Sequence, residues 1–160
     1  MTAQPFRLAG FAALIVAALS LNGSPTLAQQ GDHADRPVAR LRLADIMQGV
    51  QWRHMKLWFA AKAHNWELAG YETKQIRGRL EEAASLYQSL PVSDLTTMAK
   101  PLDAIGAAIA AKDYAAFTKA YAGLTTGCNG CHDSLKLGFV AIKTPTSDPF
   151  GDQEFRAGKK

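Results

Sequence analysis

The sequence predicts an all-α protein, an antiparallel four-helix bundle with an extended C-terminal tail. Three observations support this fold class. Apolar side chains recur with the spacing of a helix in four segments between about residues 41 and 138. Short turns join most of these segments, which is typical of bundles with antiparallel neighbours. No segment alternates apolar and polar residues between hairpin turns, as a strand would.

Residues 1–28 have the pattern of a secretory signal peptide rather than of a folded element. Arg7 supplies a positive charge, residues 8–21 are apolar, and Thr26-Leu27-Ala28 places small side chains where a signal peptidase cuts. The apolar stretch is shorter than the ~20 residues that a membrane-spanning helix needs. We therefore expect export to the periplasm, no membrane span after cleavage, and one domain over residues 29–160.

The first helix is predicted over residues 43–64, after a polar and irregular leader at residues 29–40. This segment contains one glycine, Gly49, and no proline, so nothing in it should interrupt a helix. The side chains expected on its inner face are Ile46, Met47, Val50, His54, Leu57, Trp58 and Ala61.

Asn65 is a suitable N-cap for the second helix, and Glu67 in its first turn complements the helix dipole. Pro91 should stop this helix at about Leu90, because proline removes a backbone hydrogen bond and clashes with the preceding turn. The expected inner face consists of Ile76, Leu80, Ala84, Tyr87 and Leu90.

Ser93 or Asp94 can cap a third helix. Pro101 lies inside this segment and predicts either a kink or a restart. The residues that follow, 102–112, are rich in alanine and therefore helical by propensity.

Asp113 is the expected N-cap of the fourth helix, which should run from Tyr114 to about Leu137 and be ended by Gly138. Its inner face is expected to contain Phe117, Tyr121, Leu124, Cys128, Cys131 and Leu135. Residues 139–160 form the extended tail. Its apolar residues at 139–142 and at Phe150 could pack back onto the bundle.

The chain has two cysteines, and both belong to the motif Cys128-Asn129-Gly130-Cys131-His132. Residues three apart on a helix share a face, so both thiols can reach one edge of a porphyrin and form thioether bonds. The histidine lies four residues from Cys128, beneath the same ring, where its imidazole can bind iron. This C-x-x-C-H pattern predicts one covalent haem c with His132 as the proximal axial ligand.

Other uses of the cysteine pair fit the pattern less well. A structural zinc site needs four ligands, whereas the motif offers three. A thioredoxin-like redox pair belongs beside a βαβ unit, which the sequence lacks. A disulfide remains open, although a bridge across so short a loop would restrict the unfolded chain little.

With this motif near its C-terminus, the chain resembles the class II c-type cytochromes, the cytochrome c-prime group. These are four-helix bundles that carry C-x-x-C-H on the last helix. The resemblance rests on residues 122–136, in which Lys136 matches the basic residue that the family typically has four positions after the histidine. It implies a bundle with haem on its last helix. Two features depart from the family: the segment 51–60, and roughly two dozen residues after the haem helix, which could cover a haem edge.

In this family the residue on the far side of the iron decides the function. An apolar residue leaves the iron open to small gases, and a methionine makes it six-coordinate and suited to electron transfer. In an antiparallel bundle the start of helix one lies beside the end of helix four. Met47 is about as many residues from the start of helix one as His132 is from the end of helix four. His54 lies two turns further along the same face, and Met55 points about 100° away from His54. Met47 and His54 are therefore both candidates for the distal axial ligand.

The leading hypothesis is a periplasmic electron carrier that docks on redox partner proteins near Lys136 and Lys143. The alternative is a gas-binding protein for nitric oxide or carbon monoxide, with an open distal site. A small peroxidase would need a distal acid–base histidine with a polar helper. His54 with Arg53 or Gln51 is the one candidate pair, but adjacent residues on a helix do not face one another. We therefore expect no enzymatic activity.

The charge pattern bears on the class of partner. The formal net charge is +4, and the positive residues are dispersed rather than grouped in a run, which favours acidic protein partners over nucleic acid. The resemblance to the cytochrome c-prime group also implies a possible homodimer, because bundles of that family often pair through helices one and two. Trp52, Trp58 and Trp66 could supply its surface, although we expect at least one of them in the core.

Overall fold

Four α-helices make up most of the described chain. The computed structural model describes residues 42–90 and 92–158, with side chains described outside residues 92–96. The helices are α1 (Leu43–Lys62), α2 (Trp66–Leu86), α3 (Val92–Ala110) and α4 (Tyr114–Ser134). Consecutive helices pack against each other, and α1 closes the ring against α4. With no strand among the described residues, the predicted all-α four-helix bundle is confirmed.

Two predicted segments, the signal peptide at residues 1–28 and the leader at residues 29–40, lie outside the described residues. In the part of the chain that is described, none of the helices combines the length and the apolarity that crossing a membrane requires.

Three of the helices end at a residue with a left-handed backbone. His64, Lys112 and Lys136 follow the C-caps of α1, α3 and α4, with φ angles of 55°, 54° and 62°. In each case the next amide donates a hydrogen bond to the carbonyl five residues earlier, in the pairs Asn65–Ala60, Asp113–Ala108 and Leu137–His132. This is a Schellman motif, which ends a helix and satisfies its last carbonyls.

Two of these turns lead directly into the next helix. The side chain of Asn65 accepts a hydrogen bond from the Leu68 amide at 3.1 Å, and that of Asp113 accepts one from the Ala116 amide at 3.0 Å. Both predicted N-caps are therefore confirmed. Since one residue both completes the turn and caps the following helix, the connections after α1 and α3 are very short and their helices form antiparallel pairs.

α2 differs from its prediction in its end and in its buried face. It stops at Leu86, rather than at about Leu90, because the backbone of Tyr87 leaves the helical region. The buried residues of α2 are Ala69, Glu72, Thr73, Ile76 and Ala83, so only Ile76 of the predicted inner face is buried. Glu72 can lie inside because Arg53 of α1 donates to both of its carboxylate oxygens, at 3.1 and 3.3 Å. Hydrophobic periodicity cannot anticipate a carboxylate on that face.

α3 is one continuous helix. It begins at Val92, which puts Ser93 and Asp94 in its first turn, so the predicted N-cap at either residue is wrong. Pro101 lies within the helix and does not mark a restart. A Cβ atom at Gly123 would lie 3.9 Å from the Pro101 side chain, which places the proline against α4.

α4 stops at Ser134, before the predicted end at about Leu137. The left-handed residue that ends it is Lys136 rather than Gly138. A side chain at Gly138 would meet the carboxylate of Asp133, which would have to turn aside, so the returning chain passes close to the helix. The chain therefore reverses earlier than predicted.

The core lies between the four helices and also takes in two phenylalanines of the tail. On α1 and α4 its most deeply buried large side chains are Leu57, Phe117, Tyr121 and Leu124. Trp58 packs on Tyr121 with ring centroids 5.0 Å apart, and Trp66 also packs against this core. Trp58 and Trp66 are only partly buried and Trp52 is 49% exposed, so the expectation of a tryptophan inside the buried core is wrong.

The tail returns along the outer side of α1. The Phe150 ring contacts Trp52, with centroids 5.3 Å apart, and the Phe155 ring contacts Phe59 at 5.7 Å. Both tail phenylalanines are buried, so the expected packing of Phe150 is confirmed, and Phe155 is an anchor that the sequence analysis missed. Phe139 is 83% exposed, so its expected packing is wrong.

Lys112→Gly should stabilise the protein. The lysine has a left-handed backbone that costs a residue with a Cβ atom free energy, whereas glycine adopts it freely. We expect the free energy of unfolding to rise by about 1 kcal/mol in urea titrations. Lys119→Gly is the matched control, since it removes an exposed lysine from the middle of α4. It should lower the free energy of unfolding by about 1 kcal/mol, and equal effects of the two changes would contradict the account of the turn.

Candidate functional site

A cavity of about 530 Å³ lies between the N-terminal half of α1, the C-terminal end of α4 and the start of the tail. Its wall contains all five residues that the sequence singles out as possible haem contacts: Met47, His54, Cys128, Cys131 and His132. Most of the remaining wall is aliphatic. Its volume is within the range of pockets for small molecules and cofactors. Met47 and His132, 85 positions apart in the sequence, therefore face the same space.

His132 is held by the tail that follows α4. Its ring nitrogen Nδ1 lies 2.6 Å from the backbone carbonyl oxygen of Val140. Because a carbonyl can only accept, Nδ1 must carry the proton in this contact, and Nε2 then keeps its lone pair. A histidine in this tautomer is suited to bind a metal through Nε2.

Asn129, a variable position of the motif, binds the same part of the tail. Its Nδ2 group donates to the carbonyl of Ile142 at 2.9 Å, and its Oδ1 atom accepts from the Ile142 amide at 2.7 Å. The side chain therefore pairs with the tail backbone as a neighbouring strand would. Neither this pair nor the contact with Val140 could be read from the sequence, because both depend on where the tail runs.

The two cysteines lie half-buried at the cavity wall and are not joined in a disulfide. Burial, helped by the charge of Cys131, raises the pKa of the Cys128 thiol to about 11. The thiol of Cys128 is therefore protonated at neutral pH, which disfavours it as a thiolate ligand of a bare metal ion. Residues 42–90 and 92–158 contain no group of three or more His, Cys, Asp or Glu side chains placed to hold such an ion.

His54 is 2% exposed, which confirms its predicted place on the inner face of α1. Its Nδ1 atom lies 2.9 Å from the Tyr121 hydroxyl, and its Nε2 atom lies 2.9 Å from Oγ1 of Thr125. The Tyr121 hydroxyl can also donate to the backbone carbonyl of His54. The Thr125 hydroxyl can likewise donate to the backbone carbonyl of Tyr121. Either neutral tautomer of the imidazole is therefore fully hydrogen-bonded, since one hydroxyl can donate to the ring while the other accepts.

Burial also sets the protonation states of this cluster. It lowers the pKa of His54 from 6.5 to about 4, and it raises the pKa of Tyr121. Both groups are therefore neutral at physiological pH. A buried neutral histidine with a partner on each nitrogen is a well-satisfied core group.

The two methionines of α1 differ in what they contact. Met47 is partly buried and lines the cavity. Both methionines pack against the hydrophobic core, but Met55 does not contribute to the cavity wall. Met98 of α3 also lines the cavity, and it fills the space next to Gly127, where a Cβ atom would come within 2.7 Å of its sulfur.

Comparison with protein-family models, curated proteins and solved structures finds no match for this chain. The case for a function therefore rests on the motif, on the fold and on the geometry of the cavity.

The pKa of His54 predicts a loss of stability in acid. The unfolded chain binds the proton near pH 6.5 and the folded chain only near pH 4, so lowering the pH through this window favours unfolding. The full effect is on the order of 3 kcal/mol. Urea titrations at pH 7.5, 6, 5 and 4 should show it, and His54→Gln should reduce the pH dependence.

The control for this experiment is His64→Asn, because His64 is exposed and asparagine tolerates its left-handed backbone. The raised pKa of Glu72 acts in the opposite direction, and it is common to all the variants. An unchanged pH dependence in His54→Gln would rule out His54 as the source of the acid sensitivity.

Proposed function

We propose that this chain is a periplasmic c-type cytochrome that carries one covalent haem and acts in electron transfer. The observation that carries the proposal is the shared cavity: the C-x-x-C-H motif of α4 and the two candidate distal ligands of α1 line the same space. The apolar wall around that space suits the flat, largely apolar face of a macrocycle. Bound there, haem would supply one-electron iron chemistry.

The residues of the motif fit the tasks that haem attachment requires. Cys128 and Cys131 would hold the group through thioether bonds, each formed by addition of a thiol S–H across a vinyl double bond. His132 would bind the iron through Nε2, since its Nδ1 atom already donates to the Val140 carbonyl. Cys128 to His132 form one stretch of α4, so the three groups have a fixed spacing.

Among the candidate distal ligands, the contacts favour Met47. Both ring nitrogens of His54 have hydroxyl partners on α4, and binding iron would break at least one of those hydrogen bonds. Met47 would have no comparable hydrogen bond to break, because a thioether accepts hydrogen bonds only weakly. Its long unbranched side chain can also adapt to a neighbouring group. We therefore propose Met47 as the sixth ligand, which would make the iron six-coordinate.

The surface next to the cavity suits contact with a redox partner. Leu137, Phe139 and Val140 follow α4 and expose apolar surface, and Lys136 and Lys143 on either side of them are exposed. An apolar patch with positive charges around it is complementary to an acidic protein surface with an apolar centre. This supports docking of redox partner proteins at this end of the bundle.

Expression with a c-type haem maturation system provides the first test. The purified protein should retain haem after denaturation, and Cys131→Ala should leave at most one thioether bond. A haem-free wild-type chain would exclude the proposed function. A reduced protein that binds carbon monoxide readily would instead favour the gas-binding alternative.

The distal ligand is tested by Met47→Leu. Removing the sulfur should change a low-spin spectrum to a high-spin one and allow carbon monoxide to bind the reduced iron. Met55→Leu is the matched control, since Met55 lies on the same helix but away from the cavity, and its spectrum should equal that of the wild type. A low-spin spectrum that persists in Met47→Leu would assign the sixth position to another residue, with His54 the next to replace.

A further inference from the structure

We propose that Asn129 is a positioning residue for the axial histidine. It fixes the tail so that the Val140 carbonyl sets the tautomer and the orientation of His132. This inference rests on the proposed function, because it concerns the residue that would bind the iron. Neither the motif nor its spacing requires this role, since the two residues between the cysteines are variable.

Asn129 makes a paired contact with the backbone of Ile142. The two hydrogen bonds, at 2.9 and 2.7 Å, engage the carbonyl and the amide of one tail residue. The polarity of those backbone groups determines which end of the asparagine amide faces which partner. A shorter, longer or charged side chain could not make both bonds with the same geometry.

Val140 lies between two segments of the tail that are held by hydrogen bonds. On one side, the turn after α4 is held by the Leu137 amide bonding to the His132 carbonyl at 2.7 Å and by the Val140 amide bonding to the Leu137 carbonyl at 2.8 Å. On the other side, Asn129 holds Ile142 two residues further on. The side chain of Val140 is 41% exposed, so its own packing contributes little to its position.

The geometry of α4 links the contact at Asn129 to the contact at His132. Asn129 and His132 are three residues apart on one helix, which places both side chains on the same face. The tail crosses that face. Asn129 bonds to the tail at Ile142, and His132 bonds to it at Val140, with 2.6 Å between Nδ1 and the carbonyl oxygen. The distance from helix to tail at His132 therefore depends on the bond pair at Asn129.

The chemical consequence follows from the protonated Nδ1 atom. A hydrogen bond from Nδ1–H to a carbonyl raises the basicity of the imidazole at Nε2. A more basic ligand stabilises oxidised iron over reduced iron, so the contact lowers the reduction potential. Loss of the pair at Asn129 should weaken the contact and make the potential more positive.

The far part of the tail allows a local test. Phe150 and Phe155 are buried against α1 and hold the tail without help from Asn129. Replacing Asn129 should therefore shift residues 139–142 and leave the rest of the fold in place.

The experiment compares the haem-loaded full chain with Asn129→Ala and Asn129→Asp. Two quantities are measured: the reduction potential, and the hydrogen-exchange rate of the Ile142 amide. Thr126→Ala is the control, since Thr126 is an exposed residue of α4 outside the motif. Asn129→Ala should give a more positive potential and at least tenfold faster exchange at Ile142. Asn129→Asp keeps the acceptor and loses the donor, so both changes should be smaller, and Thr126→Ala should match the wild type.

Faster exchange at Ile142 with an unchanged potential would overturn the inference, because the tail would then move without affecting the histidine. Unchanged exchange would overturn it as well, by showing that the pair does not hold the tail. If the wild-type chain carries no haem, the proposed function fails. The positioning role is then decided separately from the ¹⁵N signals of the His132 ring, which should move toward the Nε2–H tautomer in Asn129→Ala.

Discussion

The chain reversal after α4 determines the path of the tail, and the candidate site depends on that path. Lys136 takes a left-handed backbone, and the Leu137 amide bonds to the His132 carbonyl. A helix that simply frayed would leave the last carbonyls to water and send the chain away from the bundle. Here the chain turns back within two residues, and Gly138 passes close to the side chain of Asp133. The same turn therefore ends the helix and brings a backbone acceptor to the histidine of the motif.

The relation between α1 and α4 depends on buried polar groups as well as on apolar packing. His54 is bonded to both Tyr121 and Thr125 of α4, and Glu72 of α2 is bonded to Arg53 on a neighbouring face of α1. Among the described residues, no buried side-chain nitrogen or oxygen lacks a partner. Sliding or rotating α1 by one residue would strand several of these groups, at a cost of about 1–3 kcal/mol each. The polar contacts therefore fix the register that places Met47 opposite the motif.

The sequence could predict the parts of the fold that depend on near neighbours. Helical periodicity identifies the four helices, and the caps at Asn65 and Asp113 each involve a residue three positions away. It could not predict the buried Glu72, because that depends on an arginine 19 positions earlier in the chain. Cys128, Cys131 and His132 are neighbours in the sequence, so the motif identified them as a group. The contacts with Val140 and Ile142 were missed because they depend on the path of the tail. The two distal candidates both line the cavity, and only their hydrogen bonds distinguish them.

That distinction can be expressed as free energy. For His54 to bind iron, at least one of its nitrogens must give up a hydroxyl partner. Because each hydroxyl can still donate to a backbone carbonyl, the loss is that of one hydrogen bond, about 0.5–1.5 kcal/mol. Met47 loses only packing contacts and some rotamer freedom, and methionine gives up both readily. The buried cluster around His54 thus has hydrogen bonds that compete with metal binding, whereas Met47 has only packing contacts, and this difference favours Met47 over His54 as the proposed sixth ligand.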